Sequence, residues 1–418
     1  MSTTVKNTTT NFHMLAKPSG PICNLDCHYC FYTEKESLFE PKTPFRMSEE
    51  TLGKFIKNYI ETQSAEEIPF VWQGGEPALM GLNFYKKAVE FQKKYANGKR
   101  ISNSLQTNGT LLTEDWFPFL AENNFLVGLS LDGPEEIHDK FRVDRGGNPT
   151  FQRVLNTLHN LQKYKIQYNV LTCVTNESSN SPLEIYHFLK SEGVEYIQFI
   201  PIVERIADEH ATKLGLRHAT PASIKDEEVQ LAPWTVNSEK YGDFLITIFD
   251  EWVRNDVGIV NVMNFESSLV AWMGLPATVC IFAETCGKAA IIEHNGDVYS
   301  CDHFMYPDYK LGNIQTQTFK EMIDSIQQAE FGQAKKSTLP KYCQTCEVKF
   351  ACNGECPKHR FLKTPTGEPG LNYLCAGYKK YFTHIHKYMK VMVQLLENGL
   401  PASKVMDVIK HPIVINNK

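Results

Sequence analysis

The stretch "GPICNLDCHYCFY", residues 20–32, places three thiols close together near the start of the chain. Cys23, Cys27 and Cys30 are spaced C-x3-C-x2-C, and no fourth cysteine is nearby. They directly follow "FHMLAK" at 12–17, a short run of the kind that forms a β-strand. Because a closed tetrahedral metal site needs four ligands, this spacing predicts a site with one open position.

Two kinds of metal site fit three clustered thiols. Three thiolates can hold a cubane of four irons and four sulfides, which leaves one iron free to bind a small molecule. The alternative is a zinc ion with a more distant fourth ligand, for which His28 is a candidate. An open iron is a reaction site, just as an open position distinguishes catalytic zinc from structural zinc.

The first half of the chain alternates between apolar runs and amphipathic helical patterns. Such alternation indicates parallel strands joined by right-handed crossovers, and six units favour an open, partial (β/α)6 barrel of the TIM type in an α/β fold. Catalytic and binding residues of such folds lie at the carboxyl ends of the strands, where the three-cysteine loop is also expected. The predicted strands are 12–17, 68–73, 101–107, 125–131, 166–174 and 194–202.

The remainder of the chain has a different character. Residues 204–237 are polar without a clear period, and a helical pattern follows at 238–256. A β-hairpin is indicated around Asn295-Gly296, and a last helix near 373–397. The expected divisions are a flexible N-terminus at 1–11, a partial barrel with a bridging loop at 12–237, linker helices at 238–279, a small cysteine-rich domain at 280–385, and a helix end with a tail at 386–418.

Charge and composition exclude several classes of partner. The net charge is −5 and no long Lys/Arg run occurs, so binding to nucleic acid or to an anionic membrane is not favoured. The sequence contains no run of about 18 apolar residues, so it does not predict a helix that spans a membrane. The polar, Thr-rich start lacks the apolar core of a secretory signal, so we expect a cytoplasmic protein. In a reducing compartment, the clustered thiols among the 12 cysteines are expected to hold metal rather than form disulfides.

Eight further cysteines lie in the second half of the chain, and they suffice for two closed four-ligand sites. Cys173 is left over and fits a buried, inert thiol. Zinc could also fill such sites, so a purely structural role stays open. The eight are Cys280, Cys286, Cys301, Cys343, Cys346, Cys352, Cys356 and Cys375.

The three-cysteine motif, with the aromatic Tyr29 before its last cysteine, resembles the signature of radical S-adenosylmethionine (SAM) enzymes. The resemblance implies that the open iron binds the amino and carboxylate groups of SAM. An electron from the cluster would then split the sulfonium and yield a 5′-deoxyadenosyl radical. The partial barrel expected above is also the fold that this family implies.

Other motifs at predicted strand ends extend the resemblance to the SAM site. It assigns "GGEP" at 74–77 to the SAM amino group, and Ser130 and Asp132 in "SLDG" to the ribose or methionyl group. It pairs Arg142 with the SAM carboxylate and packs Val203 near adenine. The residues assigned to SAM are therefore Tyr29, Gly74, Gly75, Glu76, Ser130, Asp132, Arg142 and Val203.

The eight-cysteine region resembles the SPASM domain of radical SAM enzymes that modify peptides. The resemblance implies two auxiliary [4Fe-4S] clusters, and hence three clusters with the N-terminal one. The first auxiliary set is Cys280, Cys286, Cys301 and Cys356, and the second is Cys343, Cys346, Cys352 and Cys375.

Longer segments resemble one branch of that family, the anaerobic sulfatase-maturating enzymes. They include "KPSGPICNLDCHYCFY", "WQGGEP", "LQTNGTLL", "SLDGPEEIHDKFR" and "NGDVYSCDHF". These enzymes oxidise one Ser or Cys of a sulfatase to Cα-formylglycine. The resemblance implies a sulfatase polypeptide as substrate, in an unfolded or nascent state, and an electron donor such as flavodoxin or ferredoxin.

That reaction removes a hydrogen atom from Cβ, a proton from the side-chain OH or SH, and one further electron. The resemblance assigns the proton acceptor to Asp302, which follows Cys301 at the end of the predicted hairpin. An auxiliary cluster would accept the electron. Residues expected to face the peptide are Tyr32, Gln73, Gln106 and Asn108.

Two other functions remain open at the level of sequence. One is a different SPASM-type peptide modifier, such as a thioether- or crosslink-forming maturase. The other is a non-catalytic iron–sulfur or zinc protein that transfers electrons or binds a partner. The sequence leaves open the choice between Ser and Cys, the partner sulfatase, the electron donor, the oligomeric state and the role of residues 204–237.

Overall fold

The computed structural model describes residues 11–221 and 229–410. Within these residues, ten strands form one continuous sheet and two short strands form another. The strands are β1 (His13–Lys17), β2 (Glu67–Trp72), β3 (Arg100–Thr107), β4 (Phe125–Ser130), β5 (Tyr168–Val174), β6 (Tyr196–Pro201), β7 (Asn261–Val262), β8 (Ala289–Glu293), β9 (Asp297–Tyr299), β10 (Lys310–Asn313), β11 (Leu362–Lys363) and β12 (Pro369–Leu371).

Helices connect the first strands and cover the sheet. The helices of the described residues are α1 (Glu49–Thr62), α2 (Leu82–Tyr95), α3 (Trp116–Glu122), α4 (Glu135–His138), α5 (Phe151–Lys163), α6 (Pro182–Ser191), α7 (Glu209–Lys213), α8 (Ser238–Asn255), α9 (Met263–Trp272), α10 (Phe319–Ile323), α11 (Ile326–Ser337), α12 (Lys341–Gln344), α13 (Lys349–Cys352), α14 (Cys375–Glu397) and α15 (Val405–Lys410).

The six predicted strands are confirmed as β1 to β6. They lie side by side in chain order, and every adjacent pair is parallel. Each predicted boundary lies within two residues of the observed one. The α/β fold with a partial barrel is therefore the observed architecture, because helices between successive strands force parallel, crossover-linked pairing.

Helix α1 shows how local sequence sets these elements. Ser48 caps its N-terminus, with its hydroxyl accepting a hydrogen bond from the Thr51 amide at 3.1 Å. Its apolar residues recur at helical spacing and form one buried face. That face comprises Leu52, Phe55, Ile56, Tyr59 and Ile60, and Phe55 and Tyr59 pack on Phe70 of β2.

The predicted hairpin around Asn295-Gly296 is present and extends the barrel sheet. Strand β8 pairs in parallel with β1, in a register that sets Lys17 beside Glu293. Strands β9 and β10 continue from β8 by antiparallel pairing. The hairpin of the predicted cysteine-rich domain therefore adds directly to the edge of the barrel sheet.

The bridging segment is folded against both halves of the chain. Its described part contains α7, and Ala211 and Leu216 pack against Tyr306 beyond β9. Two buried polar contacts hold it: His218 lies 3.0 Å from Glu34, and Glu204 lies 2.5 Å from Lys358. Of the predicted divisions, residues 222–228 of this segment, residues 1–10 and residues 411–418 lie outside the described residues.

The last long helix, α14, packs the cysteine-rich region against the linker helices. Helix α14 packs along α8, and the two backbones meet at a pair of glycines. A Cβ placed on Gly242 would lie 2.6 Å from the carbonyl oxygen of Gly377, so a side chain has no space there. Within the described residues, no helix has the length and apolar character needed to cross a membrane.

We predict that Gly242→Ala destabilises the fold although alanine favours helices. The new methyl group would meet the Gly377 backbone, and such overpacking costs about 1–3 kcal/mol. Thermal unfolding monitored by circular dichroism should show a lower Tm. Gly53→Ala is the matched control, because Gly53 also lies inside a helix but a Cβ there meets the Phe91 ring at an ordinary 3.4 Å. Equal Tm values for both variants would contradict the prediction.

Candidate active site at the rim of the sheet

The loop that carries Cys23, Cys27 and Cys30 begins just after β1, at the carboxyl end of the strands. Backbone contacts shape it: the Leu25 amide donates to Cys23 Sγ at 3.3 Å, and Arg145 Nε donates to the Cys23 carbonyl at 2.8 Å. Burial is the main reason that the pKa of Cys23 is raised to about 12, and it also raises the pKa of Cys27. These thiols therefore resist ionisation unless a cation compensates the thiolate charge.

The chemistry of the donor set fits iron–sulfur clusters. All 12 cysteines are free thiols. No group of three or more His, Cys, Asp or Glu side chains in the described ranges is arranged to hold a single metal ion. A cubane makes a different demand, because its cysteine ligands bind separate irons.

The eight later cysteines lie in two groups of neighbouring thiols, and the two ligand sets that the resemblance implies stay a prediction. Cys343, Cys346, Cys352 and Cys375 line one small cavity of about 30 Å³. In the other set, burial and the nearby Asp302 charge raise the pKa of Cys301 to about 12, and the neighbouring thiols of Cys280 and Cys286 add to this effect. Burial, Glu355 and then Cys301 raise the pKa of Cys356.

The "GGEP" segment is packed against the three-cysteine loop. The Gly75 amide donates to the Gly20 carbonyl, and the Glu76 amide donates to the Ile22 carbonyl, both at 2.9 Å. A Cβ on Gly75 would lie 2.1 Å from the Ile22 carbonyl oxygen, so this position requires glycine. In this structure the close backbone approach is therefore made to the cysteine loop.

Glu76 itself is completely buried and bound by the protein. Its carboxylate accepts hydrogen bonds from the amide of Ala78 at 2.9 Å, from Thr107 Oγ1 at 2.7 Å and from the amide of Asn108 at 2.8 Å. Burial raises its pKa to about 7, and these donors limit the rise. The side chain thus ties the ends of β2 and β3 together beneath the rim.

The remaining residues assigned to SAM form a second buried cluster at the ends of β4 and β5. Asp132 accepts two hydrogen bonds from Arg142, at 2.9 and 3.1 Å, and one from the Tyr29 hydroxyl. The Cys173 amide also donates to Asp132 at 2.9 Å. Ser130, the last residue of β4, and Val203, just after β6, lie at the same rim, and Val203 is buried.

Asp302 lies in a short 3-10 turn immediately after Cys301. Lys17 Nζ lies 2.5 Å from its Oδ1, and Lys35 Nζ donates to its backbone carbonyl at 3.2 Å. Burial alone would raise the pKa of Asp302, but the positive charges nearby, with Lys17 first, lower it to about 2. The side chain is therefore an ionised carboxylate at neutral pH.

The residues expected to face the peptide lie at this rim, although several are held by the protein. Gln73 Oε1 accepts from Lys17 at 3.2 Å, and Gln106 Nε2 donates to Ser130 at 3.3 Å. Asn108 Nδ2 donates to Asn24 at 3.0 Å. Tyr32 is buried and its hydroxyl donates to Glu293. His28, the alternative zinc ligand, is exposed.

The sequence analysis did not predict the buried charged side chains that surround Asp302. Lys17 and Glu293 end the apolar runs "HMLAK" and "AAIIE", and a charge at the end of a buried strand was the available signal. Lys35 is completely buried among Phe31, Tyr32 and Tyr306. Burial lowers its pKa to about 8.

Comparisons with known proteins agree with this arrangement. Residues 18–189 match the family model of the Radical SAM superfamily, and residues 280–347 match that of an iron-sulfur cluster-binding domain, SPASM. A serine-type anaerobic sulfatase-maturating enzyme of Bacteroides thetaiotaomicron is 47% identical over 95% of this chain and 95% of its own. A cysteine-type enzyme of Clostridium novyi is 33% identical over 88% of this chain and 94% of its own.

A solved structure extends the likeness to three dimensions. The chain described as native anSMEcpe with bound AdoMet and Cp18Cys peptide superposes with a TM-score of 0.80. It is 31% identical, and the match covers 93% of this chain and 100% of that one. Together with the three-cysteine rim and the two sets of later cysteines, these matches show that the chain belongs to the anaerobic sulfatase-maturating enzymes, a family of radical SAM proteins with a SPASM domain.

Proposed function

We propose that this chain oxidises one Ser or Cys of a sulfatase polypeptide to Cα-formylglycine, with SAM and three [4Fe-4S] clusters as cofactors. One observation carries the proposal. The pairing of β8 with β1 brings Asp302, which follows one cysteine set, to the rim where the three-cysteine loop begins. Radical source, proton acceptor and electron acceptor would then surround one substrate position.

The cysteine sets have separate tasks in this proposal. The first three, with one open iron, would hold the cluster that binds SAM; the other eight would hold two closed auxiliary clusters. When bound, these groups supply a 5′-deoxyadenosyl radical that takes a hydrogen atom from the target Cβ, and an auxiliary cluster that accepts the remaining electron. The ligands are Cys23, Cys27 and Cys30, then Cys280, Cys286, Cys301 and Cys356, and finally Cys343, Cys346, Cys352 and Cys375.

Asp302 accepts the proton from the target OH or SH. Its carboxylate is ionised, and its side chain is 21% exposed, so it is accessible from the rim. Loss of a hydrogen atom, a proton and an electron converts CH2–OH to an aldehyde. A cysteine target gives a thioaldehyde, which water then hydrolyses to the same aldehyde with release of hydrogen sulfide.

Residues at the ends of β1 to β6, or in the loops that follow them, bind SAM and the peptide. The Asp132–Arg142 pair is buried beside the cysteine loop. When SAM is bound, Asp132 and Ser130 would contact its ribose or methionyl group, and Arg142 would contact its carboxylate. The other proposed SAM contacts are Tyr29, Gly74, Gly75, Glu76 and Val203. For the peptide, we propose Tyr32, Gln73, Gln106 and Asn108.

Serine is the preferred target in this proposal. The serine-type enzymes of Bacteroides thetaiotaomicron and Klebsiella aerogenes are 47% and 37% identical to this chain. The cysteine-type enzymes of Clostridium novyi and Clostridium perfringens are 33% and 32% identical.

The substrate is an unfolded or nascent sulfatase, because a buried rim admits an extended segment more easily than a folded domain. A flavodoxin or ferredoxin supplies the reducing electron.

We propose that the protein works in a reducing compartment. Twelve free cysteines, with eleven assigned to clusters, persist in a reducing environment. We therefore assign the protein to the cytoplasm.

We predict that the protein oxidises a serine peptide faster than a matched cysteine peptide. Two sulfatase-derived peptides that differ only in Ser versus Cys are incubated anaerobically with SAM and a reductant. Mass spectrometry should show the aldehyde in both, with the larger initial rate for serine. A larger rate for cysteine would contradict the serine preference, and no aldehyde from either peptide would contradict the proposed function.

We predict that Asp302→Asn still cleaves SAM but forms little aldehyde. The amide cannot accept the proton, and loss of a general base typically costs 10²–10⁴-fold in rate, so we expect a decrease of about 10²-fold or more. The measurement is 5′-deoxyadenosine and aldehyde in the same reaction, with Asp308→Asn, on the exposed turn before β10, as the matched control. Full aldehyde yield from Asp302→Asn would remove Asp302 as the proton acceptor.

We predict that Cys27→Ala removes one cluster and abolishes SAM cleavage. Three cubanes contain about 12 iron atoms per chain, so the variant should hold about 8. Cys173→Ala is the control, because Cys173 belongs to none of the three cysteine sets, and its iron content should stay near that of the unmodified protein. Iron analysis after anaerobic purification decides this; unchanged iron in Cys27→Ala would contradict the ligand assignment.

A further inference from the structure

The last residue of β1, Lys17, carries a buried ammonium group at the centre of the rim. Only 1% of the residue is exposed. Its Nζ lies 2.5 Å from Asp302 Oδ1 and 3.2 Å from Gln73 Oε1, and it stands 4.0 Å from the centre of the Tyr32 ring. Three separate parts of the chain therefore meet at one cation.

A buried ammonium group is energetically unfavourable at this position. Removing the charge from water costs free energy that its partners must offset, and an apolar side chain of similar size would avoid that cost. Lysine at this position therefore indicates that the charge has a task. The paired carboxylate belongs to Asp302, the proposed proton acceptor, which points to a task in the reaction.

The contacts around Asp302 divide between its side chain and its backbone. Lys17 forms an ion pair with Oδ1, which is buried and has no other partner among the described residues, whereas the side chain as a whole is 21% exposed. Its exposed surface therefore lies away from Oδ1, and Oδ2 is the oxygen left for a substrate. Lys35 contacts the backbone carbonyl of the same residue.

The other charged groups packed around this point have their own partners. Glu293, next to Lys17 in the sheet, accepts from the Tyr32 hydroxyl and lies 3.2 Å from His294. Lys358 is paired with Glu204 and stands over the Phe31 ring. The geometry thus leaves Lys17 to bind the Asp302 carboxylate and the Gln73 amide together.

We infer that Lys17 is a positioning residue for the oxidation: it fixes Asp302 so that Oδ2 faces the target OH or SH, and it aligns that carboxylate with Gln73 on the neighbouring strand end. The inference rests on the proposed function. Lys17 does not touch the reacting atoms. It acts by holding the proton acceptor of the hairpin region in register with the barrel rim.

Loss of the contact between Lys17 and Asp302 should uncouple hydrogen abstraction from aldehyde formation. Hydrogen abstraction from Cβ does not involve Asp302, so it should continue without the lysine. Proton transfer requires an aligned oxygen, and a misplacement of about 1 Å can cost on the order of 10²-fold. The expected result is consumption of SAM with little aldehyde.

The test uses Lys17→Met, which keeps an apolar chain as long as the four-carbon stem of lysine and removes the ammonium. The anaerobically purified variant receives SAM, a reductant and a serine peptide deuterated at Cβ. We expect deuterium to enter 5′-deoxyadenosine, while the ratio of aldehyde to 5′-deoxyadenosine falls about tenfold or more. Iron content and peptide binding, measured by fluorescence anisotropy, should stay within about twofold of the unmodified protein.

Lys35→Met is the matched control. It also removes a buried ammonium next to Tyr32 and Asp302, but one that contacts a backbone carbonyl. A general structural defect would lower aldehyde and 5′-deoxyadenosine together, so the ratio should remain unchanged in this variant. Lys17→Gln provides a second neutral replacement, with the same expected fall in the ratio.

An unchanged ratio in both Lys17 variants would overturn the inference, as would an equal fall in Lys35→Met. Failure of both Lys17 variants to fold or to retain iron, with Lys35→Met intact, would assign Lys17 to the stability of the sheet and also overturn it. The unmodified protein tests the proposed function separately: if it forms no aldehyde, the reaction itself is wrong, whatever the variants do.

Discussion

The parallel pairing of β8 with β1 is the constraint on which the rest of the site depends. Five residues of each strand are in register, from His13 beside Ala289 to Lys17 beside Glu293. Side chains alternate between the two faces of a strand, so a shift of one residue would move the partners of Lys17 to the opposite face. Through this register, the turn that contains Cys301 and Asp302 reaches the loop that contains Cys23.

Charge balance explains why the rim is a single assembly. Lys17 and Lys35 come from the first part of the chain, and Glu293 and Asp302 come from the hairpin region. Lys17, Lys35 and Glu293 are buried, and the Asp302 side chain is 21% exposed. A buried charge without a partner is strongly unfavourable, so none of these segments can adopt its final position alone. The barrel and the cysteine-rich region therefore complete one another at the place where the chemistry is proposed.

Backbone contact supports the rim from below. Gly75 lets the "GGEP" segment lie directly on the cysteine loop, and Glu76 links the ends of β2 and β3 through three hydrogen bonds. A second glycine contact, between Gly242 and Gly377, holds α14 against α8. These close approaches hold the three-cysteine loop against the end of β2, and they hold α14, which begins at Cys375, against α8.

The sequence by itself determined the alternation of strands and helices, the six-strand order and the separation of a three-cysteine loop from eight later cysteines, whereas the division of those eight into two ligand sets is what the family resemblance implies. These features are local: hydrophobic periodicity, turn residues and ligand spacing are all visible within short windows. Family motifs then supplied the roles of residues such as Asp302 and Arg142.

Only the tertiary structure decided that the hairpin joins the barrel sheet, that Asp132 binds Arg142, and that Lys17 meets Asp302 and Gln73. Lys17 and Asp302 are far apart in the chain, and neither segment contains a sequence pattern that predicts contact with the other. Such contacts arise from strand register and from the need to pair buried charges. Both are properties of the folded chain as a whole, so they could not be read from any local stretch of it.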